Sequence, residues 1–152
     1  MLKKLITLFA VSMVPVVELR GAIPMGVAMD VPFWLNYVVC VLGNIVLVPF
    51  LVMFSERILR LCVKIPKIGF IFEKIIERGN RKISKIGKYE LLGVFLFVAI
   101  PLPGTGAWTG SLVAALLQMN VWKAFISIAL GVMSAGIIMG ILSFGLFGLF
   151  GI

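Results

Sequence analysis

The sequence predicts an all-α integral membrane protein built as an inverted repeat, in which each of two units pairs a re-entrant helical hairpin with one transmembrane helix. Three observations carry that prediction. Residues 5–17, 31–55, 91–122 and 124–152 contain no Asp, Glu, Lys or Arg. Proline and glycine interrupt the apolar sequence twice, at 15–24 and at 101–106. Landmarks also recur when the chain is shifted by 88 residues: Pro15 falls on Pro103, Ala22 on Gly110, Trp34 on Trp122, Leu42 on Leu130 and Gly43 on Gly131.

Composition sets the class. Of 152 residues, 62% are hydrophobic and 13% charged, which is too little polar surface to cover a soluble domain of this size. About 20 apolar residues carry a helix across the hydrocarbon core, so the second and fourth charge-free stretches can each span once. The N-terminus starts like a signal peptide, but Pro15, Glu18 and Arg20 interrupt the apolar run and no small-residue cleavage site follows. It is expected to belong to the fold.

The first unit covers residues 1–54, with a hairpin at about 5–30 and a transmembrane helix at about 33–54. Its arms are 5–14 and 25 to about 29, around a break at 15–24. The second covers 91–152, with a hairpin at about 91–119 and a transmembrane helix at about 121–150. Its arms are 91–100 and 107–119, around the break PLPGTG at 101–106. Proline removes a donor and clashes, and glycine is flexible, so neither break continues a helix. Each arm covers about half the bilayer, and a hairpin of such arms returns to the side it entered from. Two kinked spanning helices are the alternative. Hairpin plus crossing makes an odd number of crossings, which sets the units in opposite orientations. Non-helical backbone at membrane depth survives only inside protein or beside a watery cavity. Both breaks are therefore expected to face a common interior, and a homodimer is expected to complete its wall.

Between the units, 55–90 holds ten basic residues against four acids, most of the chain's net +8. Basic segments beside spanning helices stay on the cytoplasmic side and face anionic headgroups. This predicts a multi-pass cell-membrane protein with 55–90 cytoplasmic, membrane lipids as partners and no nucleic acid. This orientation leaves both termini outside; Lys3 and Lys4 argue against it, and ten charges outweigh two. Stretches 56–64 and 70–78 interleave charge with Ile, Leu and Phe, as interfacial helices do, and Pro66, Gly69, Gly79 and Gly87 punctuate them. Cys40 and Cys62 lack the spacing of a metal or redox pair.

Charged residues inside an apolar segment are costly and mark pathways, proton relays or ligand sites. Glu18 and Arg20 sit in the first break. Arg20 offers a planar fork of donors for phosphate or carboxylate, and a desolvated Glu18 is a carboxylate that could load and release a proton. With no histidine, proton coupling needs a carboxylate, and outside 55–90 the chain has only Glu18 and Asp30. Asp30 could instead cap the helix that follows, beside Trp34 at the interface. The second break offers uncharged donors at Gly104, Thr105, Gly106, Thr109, Gly110 and Ser111, and a helix starting near Ala107 aims its N-terminus at an anion. No Lys follows the glycines, so this is not a nucleotide-binding loop. Trp108 lines the cavity wall or stacks on a ligand. Pro15, Gly21, Pro24, Pro101 and Pro103 shape the predicted substrate and proton pathway, and Gly136 and Gly140 are expected to serve helix packing. No nucleophile–base pair and no metal-ligand cluster is legible, so no enzyme activity and no cofactor is expected.

At ELRGAIP (18–24) and PLPGTGAWTGS (101–111) the chain resembles the bacterial and archaeal small multidrug export protein family, over essentially its whole length. That family looks like a distant relative of the DedA membrane proteins. The resemblance implies two re-entrant hairpins packed with spanning helices, and transport of polyprenyl phosphate or phospholipid or proton-dependent drug resistance. Glu18 and Asp30 resemble the acidic pair of the first DedA hairpin. The second DedA hairpin carries arginines and 101–111 has none, so Arg20 would supply the cation, with Lys123 as a possible helper. The expected function is a small exporter, proton-coupled through Glu18, moving an amphipathic or anionic substrate. The alternative is a non-transporting scaffold or assembly factor in which Glu18 and Arg20 form a structural pair.

Overall fold

The computed structural model describes residues 1–15, 17–102 except 64–88, and 104–150; for 56, 58–60, 62–63 and 147–150 it describes backbone alone. Most of the basic segment, with Cys62 only in part, and Pro103 of the second break therefore lie outside the described side chains. The described residues form six helices and no strand: α1 Leu2–Met13, α2 Glu18–Ala28, α3 Phe33–Val63, α4 Tyr89–Ala99, α5 Ala107–Leu116 and α6 Val121–Phe150. Two are apolar and long enough to cross a membrane, over Phe33–Ser55 in α3 and Val121–Leu146 in α6. At 1.5 Å per residue, 23 residues reach roughly 35 Å, which clears the hydrocarbon core. The other four are arms of 10 to 12 residues.

Proline decides where α1 stops. Val14 precedes Pro15 and takes an extended conformation, φ −70° and ψ 130°, because the proline ring excludes the helical region for the residue before it. The helix resumes at Glu18. The first break is thus shorter than the sequence predicts: α2 runs through Pro24 rather than starting after it. Pro24 deprives the Arg20 carbonyl of its in-helix donor, but α2 packs along both α3 and α6, and tertiary burial outweighs one lost bond. Asn36 of α3, fully buried, adds a donor to the same turn through Nδ2 to the Ile23 carbonyl at 2.8 Å. At the other end α3 continues past Ser55 to Val63 without a break.

Helices α2 and α5 end by the same construction at the offset of 88. Asp30 and Gln118 both take left-handed φ, 56° and 51°. The Val31 amide donates to the Gly26 carbonyl and Met119 to Ala114, both at 3.0 Å. Asp30 donates to Val27 and Gln118 to Ala115, at 2.9 and 3.0 Å. These paired bonds satisfy the last carbonyls of each helix and turn the chain into the span that follows. Asp and Gln at a position that favours glycine mean that the turn is held by packing on either side.

Packing repeats as well. Gly43 of α3 faces Ser12 and the Phe9 carbonyl of α1, and Gly131 of α6 faces Val98 and the Phe95 carbonyl of α4. The two glycines are 88 residues apart, and the positions they meet are 86 apart, so the chain between first arm and span is two residues longer in the second unit. Lack of a side chain lets each arm lie directly on its span. The second arms cross over: α2 packs on α6 and α5 packs on α3. Between the spans, Gly136 and Gly140 of α6 seat the rings of Tyr37 and Phe33, and the Tyr37 hydroxyl donates to the Met133 carbonyl at 3.1 Å. Leu8, Ile23, Val48, Val94, Val98, Ile128 and Val132 fill the centre.

Candidate functional site

The two breaks meet. Glu18, the first residue of α2, is buried, 4% exposed, and its Oε1 accepts the Trp108 amide at 3.2 Å. Trp108 is the second residue of α5, whose first-turn amides have no partner within their own helix. No side chain of its own break caps α5. Glu18 therefore supplies from α2 the anion that the sequence expects at this N-terminus, where the helix dipole favours negative charge by up to about 2 kcal/mol in partly buried geometries.

Gly106 makes room for it. A Cβ at Gly106 would fall inside the Glu18 carboxylate, so the close approach of the two breaks requires the missing side chain. Glu18 itself takes φ 47°, a left-handed conformation that costs a non-glycine residue of order 1 kcal/mol or more and persists only where its surroundings hold it. The strained backbone aims the carboxylate across the interface.

Arg20 closes the other side. Its Nη2 donates to Thr105 Oγ1 at 2.8 Å and, more weakly, to the Ile100 carbonyl at 3.4 Å. Thr105 Oγ1 lies 2.8 Å from the Ile100 carbonyl and 3.0 Å from that of Leu102, two carbonyls just past the end of α4 that also accept the Leu102 and Thr105 amides, so the hydroxyl braces the turn of the second break. Glu18 and Arg20 do not take each other as hydrogen-bond partners; each reaches the opposite break. Among the described residues, Arg20 Nε is buried without a partner, as is Asn44 Nδ2 in the middle of α3. In an apolar interior each such donor costs about 1–3 kcal/mol.

Gly104 takes φ 83° with open space where a Cβ would stand. Its requirement is conformational only. Gly104→Ala is expected to lower stability by about 1 kcal/mol, read as a small drop in the detergent melting midpoint with the clasp intact.

Of the other residues singled out by sequence, Thr109 and Ser111 turn their hydroxyls back to the Gly106 and Ala107 carbonyls at 3.2 and 2.7 Å, and Gly110 packs against Val98. Gly21 lies against Val17. Pro24 and Pro101 are half-buried, and Pro15 is exposed. Asp30 is exposed at the far end of α2, outside the cluster that holds Glu18, and Lys123 is exposed at the start of α6. Sequence reasoning missed Asn36 and Asn44, although an Asn within a long apolar span is itself a signal.

Trp108 also lines a groove of about 330 Å³ with Phe50, Leu51, Met53, Phe54 and Arg57 of α3. One residue thus joins the clasp, through its amide, to an apolar surface depression.

The profile of the family described as "Putative small multi-drug export protein" matches residues 18–138, from Glu18 into α6. The chain belongs to that family. Membership in an export family and two apolar spans together make it a membrane protein. Among curated proteins and solved structures none matches the chain.

Proposed function

We propose that this member of the small multi-drug export family is a proton-coupled exporter of an amphipathic or anionic substrate, with Glu18 as the proton carrier. The observation that carries the reading is the clasp: a buried carboxylate from one break holds the N-terminus of the helix that leaves the other. A proton on Glu18 removes the negative charge from the α5 N-terminus and weakens the bond from Trp108. The breaks can then part and close again when the proton leaves, which is the bistable element that alternating access needs.

In this reading each pair of arms is a re-entrant hairpin, the two units lie in opposite orientations, and residues 55–90 face the cytoplasm. The paired turns at Asp30 and Gln118 and the exchange of α2 and α5 support two equivalent units. A homodimer supplies the remaining wall. The second reading, a scaffold with a structural clasp, draws on the way Glu18 and Arg20 tie the first break to Trp108 and Thr105 of the second.

Flux in proteoliposomes separates them. With an inward or outward proton gradient, and an anionic amphiphile, a zwitterionic lipid and a cationic dye as cargo, the anionic amphiphile is expected to move. Glu18→Gln, folded by its melting curve, is expected to lose gradient-driven flux by about tenfold or more, and Arg20→Ala to lose it with a lower melting midpoint. No flux of any cargo, with both variants merely less stable, would hand the protein to the scaffold reading.

A further inference from the structure

We infer that the groove between α3 and the start of α5 binds a single-chain amphiphilic anion from the membrane leaflet, its head on Arg57 and its chain along Phe50, Met53 and Phe54. This deepens the exporter reading by naming the class of cargo and its entry site.

The groove is built from one face of one helix. Phe50 and Phe54 are four residues apart, as are Met53 and Arg57, so the four side chains stack in two adjacent rows. Trp108 closes the opposite side. Phe50, Met53 and Phe54 are 68%, 50% and 60% exposed, so the surface is open to a chain arriving sideways. Its volume, about 330 Å³, stands at the small end of ligand pockets, which run from roughly 300 to 1,000 Å³. That suits one chain better than two.

Position and charge choose the head. The apolar part of α3 ends at Ser55, and Arg57 follows two residues later, where an arginine extends to the headgroup layer while its stem stays on apolar surface. An anion on the end of an apolar chain meets a guanidinium at the depth where its own head must lie. A cationic amphiphile meets like charge at the same place, although the aromatic walls alone would favour it. Arg57, the cation among the described lining residues, therefore sorts by sign what the walls accept by shape.

Occupancy also reaches the clasp. Trp108 lines the groove and its amide donates to Glu18, so a chain that displaces this residue loads the same bond a proton releases.

The test uses Trp108 as reporter. The protein has three tryptophans, and the other two, Trp34 and Trp122, are exposed, so Trp34→Phe with Trp122→Phe leaves one. In nanodiscs of zwitterionic lipid, a brominated stearate, its methyl ester and the matching brominated alkylamine are titrated at a pH where the acid is ionised. The stearate is expected to quench saturably and about tenfold more tightly than the ester, with the amine weakest, and Arg57→Gln is expected to bring acid and ester together. A second reporter, Phe54→Trp with Trp108→Phe, is expected to give the same order from the other wall. Equal, linear quenching by all three, or a preference for the acid that survives Arg57→Gln, would reduce the groove to ordinary lipid contact. Quenching needs no transport. Saturable, Arg57-dependent binding without flux would sink the exporter and leave this site standing, and flux indifferent to Arg57 would do the reverse.

Discussion

Alanine at Gly106 is expected to abolish the proposed transport and to lower stability by about 3 kcal/mol, as one methyl group displaces the Glu18 carboxylate from the α5 N-terminus. The new Cβ would occupy the space of that carboxylate, and the buried Glu18 side chain must turn away from α5 to make room for it. Its charge would lose the Trp108 donor and the favourable end of α5 while remaining out of water. A double-mutant cycle read by detergent melting checks the cause. In a Glu18→Ala background the collision is gone, so Gly106→Ala is expected to cost only a small fraction of its value alone. Additive effects would show that Gly106 serves something other than the carboxylate.

The second large effect concerns the arms. Gly43→Ala and Gly131→Ala are each expected to destabilise by about 2 kcal/mol, within the range for forcing volume into a packed interior. At Gly131 a Cβ would stand 2.7 Å from Val98 Cβ and 3.0 Å from the Phe95 carbonyl, and at Gly43 it would stand 2.8 Å from the Phe9 carbonyl. Backbone and Cβ atoms cannot rotate aside, so α1 must lift from α3, or α4 from α6. Melting midpoints of the two variants are expected to fall by similar amounts. A neutral result at either site would mean that its arm is free to move away from its span.

What the sequence made legible follows from which signals are local. The breaks announced themselves because proline and glycine act on their own neighbourhood, and PLPGTG was read to within a residue of where α5 begins. The first break was read too long because Pro24 stops a helix in isolation, whereas here α2 is held along its length by α3 and α6. Glu18 and Arg20 stood out as charges in an apolar run. Their partners did not, since Thr105, Gly106 and Trp108 carry no charge and lie in the other unit. Asp30, legible either as an acid of the pathway or as a helix cap, sits exposed at the turn that ends α2 and is matched by Gln118 at the end of α5, a correspondence that chain geometry sets and an acidic side chain does not advertise. The groove was illegible because α3 supplies one wall and the start of α5 the other.

The crossing of α2 onto α6 and of α5 onto α3 gives the two units the relation of clasped hands. Each half shares its second arm with the span of the other, and Glu18 and Arg20 of the first break find their partners in the second, so each presents the other with a surface it lacks. A gene split within the basic segment should therefore yield two fragments that are degraded when made singly and protected when made together. The intact protein would then be reconstituted from separate polypeptides, with the contacts between halves rather than the connecting segment holding them together.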